Sequence, residues 1–258
     1  MNDTRPVRTT IEGDVVVVTL GRPPVNAVDV PMYRMLRDAF DGLGAAYPDA
    51  EVCILEAEGP HFCAGNDLHE FATMDATNAA SRMRVVREAF AAIHECPIPV
   101  IAAVQGSALG TGVAIAASCD IIVASEDARF GTPEVQVGVL GGARHLARLV
   151  PEQVMRRMYF TADAMPAAEL ARFGGVSEVV PRELLGMHAR GLAARIARHG
   201  THALRWAKES LNRTEFLPLR QAYEEEQQLT VRSASHPESM AARRALVGRD
   251  RPSGSRAP

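Results

Sequence analysis

Residues 97–120 read PIPVIAAVQGSALGTGVAIAASCD. Pro97 and Pro99 fence off Val100 to Val104, a short, uncharged apolar run that predicts a strand buried on both faces. Gly106, Gly110 and Gly112 follow within seven residues, and then Val113, Ala114, Ile115, Ala116 and Ala117 suit a small-residue helix packed close to a sheet. The pattern is strand, glycine turn, helix start. Glycines let backbone approach a ligand, and the unpaired N–H groups of a helix's first turn point outward with the positive end of the dipole behind them. The same glycines also suit tight helix-to-strand packing. Other glycine-loop chemistries are excluded by spacing. No Gly-Lys-Ser/Thr follows, Gly110-Thr111-Gly112 lacks a third glycine at the dinucleotide interval, and Ser107 stands one place too early for a nucleophile elbow.

Working outward, the 258-residue chain is long enough to bury a large core, and 47% hydrophobic with 23% charged residues is ordinary for a soluble globular protein. No eighteen-residue apolar run occurs, so no membrane span is expected, and the polar start MNDTRPVRTTIEGD lacks a secretory h-region. A cytoplasmic location is the expectation. Cys53, Cys63, Cys96 and Cys119 show no metal-ligand spacing and read as reduced, buried thiols. A net charge of −3 gives no general attraction to nucleic acid or to anionic membrane.

Val15 to Leu20 reads as a strand, Asp29 followed by Pro31 as the start of a helix, and Val52 to Ala57 as a second buried strand feeding the loop Glu58 to Leu68. Ala79 to Glu95 is amphipathic, with Arg82, Arg84 and Arg87 assigned to a solvated face. Ile121 to Ala124 is a further strand, and beyond Glu134 the strand signal fades into successive helices ending with one opened by Pro237. Alternating strands and helices followed by a helical half predict an α/β class. The last stretch, GRDRPSGSRAP, reads as a disordered tail by composition.

The segment HFCAGNDL offers a second cluster of backbone N–H groups after the Cys53 strand. Parallel neighbours present their C-terminal ends on one side of a sheet, so the two turns could meet on one oxygen, an oxyanion-hole layout.

Four blocks in order, GRPPVNAVD, HFCAGNDL, PVIAAVQGSALGTGVAIAASCDIIVAS and FGTPEVQVGVLGGARHLARLVP, make the chain resemble the crotonase superfamily, the enoyl-CoA hydratase/isomerase family. The resemblance implies a crotonase-like spiral of ββα units over residues 1–195, holding the coenzyme A and catalytic site. It further implies a C-terminal helical region over 196–258 used in a homotrimer or a dimer of trimers. Coenzyme A would arrive as part of an acyl-CoA or enoyl-CoA substrate, with no separate cofactor. By motif position the amides of Asn66 and Thr111 would be the enolate donors, and Ala64 through His69 (Gly65, Asn66, Asp67 and Leu68 between them), with Gly110, would line the thioester. Arg22 and Val25 resemble the segment that touches the coenzyme A phosphates.

Family hydratases carry two glutamates, and here the first position is Ala114 and the second Glu134. A single carboxylate suits proton transfer between two carbons of an enoyl thioester, or a hydratase or hydratase-lyase in which the substrate's own hydroxyl or a bound water supplies the rest. A thioesterase or C–C hydrolase on the same donors is the alternative, as is a non-catalytic coenzyme A or RNA binder. Without that context Glu134 reads rather as a structural carboxylate, capping a helix or paired with Arg144. Asp67 and Asp120 read as structural, and His61, His69 and His145 make no dyad. Pocket walls are expected from Phe71 to Ala80 and from Val135 to Leu146.

Overall fold

The computed structural model describes residues 5–249. They divide into two compact units, one ending at Arg198 and one beginning at His199.

The first unit opens with β1 (Val7–Glu12) antiparallel to β2 (Val15–Leu20), a strand that the polar opening of the sequence concealed. Helix α1 (Val30–Ala46) starts where expected. The Asp29 carboxylate accepts from the Met32 N–H, Pro31 sits in the first turn, and Met32, Tyr33, Leu36, Phe40 and Leu43 are buried along one stripe. Next come β3 (Val52–Ala57), the four-residue α2 (Leu68–Phe71), α3 (Ala79–His94), β4 (Val100–Val104), β5 (Ser107–Leu109) and α4 (Thr111–Ser118). The glycine turn between the predicted strand and helix thus contains a short strand of its own.

Beyond it run β6 (Ile121–Ser125), β7 (Arg129–Gly131), a 3₁₀ turn at Pro133–Val137, α5 (Ala143–Leu146), α6 (Glu152–Thr161), β8 (Met165–Pro166), α7 (Ala167–Arg172), β9 (Glu178–Val180) and α8 (Leu185–Ile196). β8 and β9 correct the expectation that strands cease after Glu134. Both are too short to show a period, and β9 is specified by pairing with β6 rather than by its own sequence.

The large sheet has the order β1-β2-β3-β4-β6-β9, parallel from β2 onward, and the small sheet is β5-β7-β8. The chain visits the large sheet with β4, the small one with β5, then forms α4, and β6 and β7 repeat the visits in the same order. This is the ββα alternation of an α/β spiral. Strand side chains alternate between two cores. Cys53, Leu55, Val100, Ala102 and Val104 face the larger one with α1 and α3; Val52, Ile54, Ile101 and Ala103 face a second one covered by Leu185, Ala189 and Ala193 of α8. A strand buried on both faces needs the charge-free run that β4 has.

The second unit consists of α9 (Thr201–Thr214), α10 (Leu219–Ala234) and α11 (Pro237–Arg249). Helix α11 carries Gly248 and Arg249, the first residues of the stretch read as a disordered tail; the rest of that stretch lies outside the described residues. Among the described residues, no helix is long and apolar enough to cross a membrane, and all four cysteines are buried and outside any disulfide.

Candidate active site

The turn after β3 is fixed almost wholly by main-chain bonds. The Cys63 N–H donates to the Ser107 carbonyl (3.0 Å) and the Leu109 N–H to the Cys63 carbonyl (2.9 Å), a one-residue bridge to β5. On the other flank Ala64 N–H donates to Val25, Val28 N–H to Gly65 and Asp67 N–H to Val28, each at 2.9 Å. The Asn66 N–H between these bonds has no acceptor among the described residues. The second turn leaves another such group. Gly110 N–H donates to Gly131 (2.8 Å), helical bonding resumes with Ala114 N–H to Gly110 (3.1 Å), and Thr111, first residue of α4, has its N–H ahead of that ladder.

Glu134 lies in the 3₁₀ turn that follows the small-sheet strand β7. Its Oε1 stands where a side chain on Gly110 would go: a Cβ there would be 2.7 Å away, and Gly110 also has φ +53°. Gly110 is therefore required both for the turn and for room beside the carboxylate. Glu134 Oε2 is buried with no hydrogen-bond partner among the described residues. Burial pushes the Glu134 carboxyl above the ordinary glutamate range. Ala114 is buried in α4 at 2% exposure and brings no ionisable group there.

The neighbouring titratable groups are otherwise engaged. Asp67 caps α2, accepting from the His69 and Glu70 N–H groups, and Asp120 Oδ2 accepts from the Val100 N–H (2.8 Å). His61 Nδ1 accepts from the Ser107 N–H (3.1 Å). His145 packs edge-on against Phe90, and burial pulls it down to about 4, so it is neutral at physiological pH.

A cavity of about 660 Å³ is lined by Arg22, Val25, Ala64, Gly65, Asn66, Asp67, Leu68, His69, Gly110, Thr111 and Glu134, which brings to one place the residues expected to hold the thioester and carry the chemistry, without Ala114, Asp120, His61 or His145. The far wall adds Gln136, Val137 and Val139, inside the expected 135–146 segment. From the other expected segment only Phe71 reaches the cavity. Residues beyond it are drawn away by Arg82, which donates to the carbonyl of Glu70 (2.9 Å) and to Thr73 Oγ1 (3.1 Å) and pairs with the Glu70 carboxylate. Arg82 is thus a strap on the α2 loop, correcting its assignment to a solvated face. Helical periodicity places residue 82 on the polar side but cannot show that a loop folds back over it. The arginines of α8 are likewise committed, Arg190 to Glu12 and Glu56 and Arg195 to Glu178.

Arg22 is partly exposed at the cavity, yet its guanidinium donates to Asp67 Oδ2 (2.6 Å) and to the Ala27 carbonyl (2.6 Å). That guanidinium holds the Asp67 carboxyl below the usual range. Replacing Arg22 by Met should therefore loosen the Ala64–His69 turn, raising KM for a coenzyme A thioester by up to about tenfold with a smaller change in kcat. An equal loss with the 3′-dephosphorylated thioester is expected; a loss confined to the phosphorylated one would make Arg22 a phosphate ligand instead.

Two amides without internal acceptors and a carboxylate whose Oε2 has no partner among the described residues can polarise a carbonyl and move a proton beside it. A profile of the enoyl-CoA hydratase/isomerase family matches residues 10–252. The chain belongs to the enoyl-CoA hydratase/isomerase family. It is 43% identical over 226 residues to the (7aS)-7a-methyl-1,5-dioxo-2,3,5,6,7,7a-hexahydro-1H-indene-carboxyl-CoA hydrolase of Rhodococcus jostii RHA1, covering 87% of each chain. Against the 2,3-dehydroadipyl-CoA hydratase of Escherichia coli K12 it is 33% identical, covering 83% of this chain and 85% of that one. Its backbone is similar to that of a solved enoyl-CoA hydratase, described as putative, from Streptomyces coelicolor A3(2), with TM-score 0.88, 29% identity, and coverage of 96% and 94%. The fold is thus that of the enoyl-CoA hydratase/isomerase family, and the chain is an enzyme acting on acyl-CoA. Among the described residues no group of three or more His, Cys, Asp or Glu side chains is placed to hold a metal ion.

Tyr33 is the residue near the site that motif reading missed. Its hydroxyl contacts the side chains of both Asn66 and Thr111. In the sequence it is one more member of the apolar stripe of α1, distinguishable there only as a buried residue with a polar tip.

Proposed function

We propose that this enzyme forms the enolate of an acyl-CoA thioester, held by the Asn66 and Thr111 amides, with Glu134 as its single acid/base. The observation that carries the reading is the unpaired, buried Oε2 of Glu134 on a cavity shared with those two residues. In the reaction we favour, Glu134 takes a proton from water as the water oxygen adds to a ketone carbon β to the thioester. The bond from that carbon to the α-carbon then breaks, its electron pair passing into the thioester as an enolate, and Glu134 returns the proton to the α-carbon. The product is a carboxylic acid that still carries its coenzyme A thioester. One carboxylate suffices for this cycle, and the 43% identity with a relative named as hydrolase of a dioxo-indene-carboxyl-CoA supports it.

A second reading is isomerisation or hydration of an enoyl-CoA, supported by the family and by the 33% identical hydratase. In isomerisation Glu134 would take the proton from the α-carbon of a 3-enoyl thioester and return it two carbons further on. Three substrates separate the readings: a cyclic β-oxo acyl-CoA, a 3-enoyl-CoA and a 2-enoyl-CoA. Uptake of one water with a new carboxylate from the first is expected. Turnover of the enoyl thioesters alone would favour the second reading, and release of free coenzyme A thiol would make the enzyme a thioesterase. The helical unit from His199 is proposed to serve a homotrimer or dimer of trimers in the cytoplasm, which light scattering of the purified protein tests.

A further inference from the structure

The geometry points to Tyr33 as a positioning residue: its hydroxyl ties the Asn66 turn to the Thr111 turn and so sets the spacing of the two amide donors. This inference rests on the enolate reading above. The main-chain ladder joining the turns runs through Ser107, Cys63 and Leu109 and stops there. Beyond it each donor residue lies past a glycine with positive φ, Gly65 at +118° and Gly110 at +53°. A glycine in that region has no side chain to fix the direction of the chain after it.

Tyr33 supplies the missing link. It is 2% exposed, placed by α1, with its ring edge-on to Phe90 at 5.9 Å. Its hydroxyl donates to Asn66 Oδ1 at 2.7 Å and lies 2.6 Å from Thr111 Oγ1. A phenol has one proton. With that proton given to Asn66, the Thr111 hydroxyl donates to Tyr33, and a directed chain runs Thr111 to Tyr33 to Asn66. Burial raises the phenol above its ordinary value, so it keeps the proton at physiological pH. Tyr33 is absent from the cavity lining, so it acts behind the donors rather than on substrate.

The test uses Y33F, T111V, T111S and the double variant Y33F/T111V in the full chain. Y33F and T111V should each lower kcat by about 10- to 100-fold with KM within about twofold, since misplacing a donor spares ground-state binding. The double variant should be no worse than the poorer single one, because both cut the same chain. T111S, which keeps the hydroxyl, should lose clearly less kcat than T111V. A second readout is amide hydrogen exchange at Asp67 and Ala114, the bonded amides flanking the donors, which should quicken in Y33F and T111V but not in T111S. Wild-type kcat in Y33F, or losses that multiply in the double variant, would overturn the role; should Y33F fail to fold, the contrast of T111V with T111S decides it. If the wild type turns over no thioester, the enolate reading fails by itself, and the exchange rates alone decide whether Tyr33 positions the turns.

Discussion

Glu134→Gln should lower kcat/KM by about 10²- to 10⁴-fold while leaving the fold intact. Glutamine has the same shape and cannot take a proton. Because Oε2 has no hydrogen-bond partner among the described residues, the substitution removes no bond at that oxygen. The wild-type pH profile should show an acid limb above the ordinary glutamate value of ~4.3, since activity requires the ionised form and burial favours the neutral one. Stability moves the opposite way. The folded state holds this proton more tightly than the unfolded chain, so the contribution of Glu134 to folding is present below the unfolded pKa and is lost as pH rises through the folded one. Glu134→Gln does not titrate there, so thermal unfolding at neutral pH should show the variant at least as stable as wild type. Unchanged turnover would remove Glu134 from the chemistry.

Gly112→Ala should be nearly as damaging, for a steric reason. An added Cβ would sit 2.1 Å from the Cys63 carbonyl oxygen and 3.0 Å from its carbon. That carbonyl cannot turn aside, because it accepts from the Leu109 N–H while the Cys63 N–H is held by Ser107. The helix start and the Asn66 turn must therefore separate. Overpacking of this kind costs about 1–3 kcal/mol, and a displacement of about 1 Å at a donor costs on the order of 100-fold in rate. Gly42→Ala is the control. Gly42 lies inside α1 with open space around it, and the exchange should stabilise by up to about 1 kcal/mol. A Gly112→Ala enzyme with wild-type kcat and melting temperature would show that the two turns are not in fixed register.

The sequence was legible where local chemistry and long-range packing agree. β4 had to be apolar on both faces, α1 carries its cap and proline in the expected places, and Gly110 and Gly112 stand where backbone meets a carboxylate and a carbonyl. It was illegible where partners distant in the chain decide. β1 is a strand because β2 pairs with it, β9 because β6 does, and Arg82 faces Glu70 because the α2 loop returns over α3. Tyr33 belongs to the same class. Helical period places it in the buried stripe, whereas its two hydrogen bonds depend on turns found far along the chain.

One consequence follows from how the Ala64–Asp67 turn is held. Its location is secured by single-residue main-chain pairings, Cys63 with Ala108 and Asn66 with Val28, and by the side chains of Asn66 and Asp67, with none of the rim side chains taking part. Residues such as Leu68 and His69, exposed at the rim, are therefore free to drift. An ancestor could exchange them to accommodate a new acyl group without disturbing the anchoring, which lets substrate choice diverge while the chemical step is inherited unchanged.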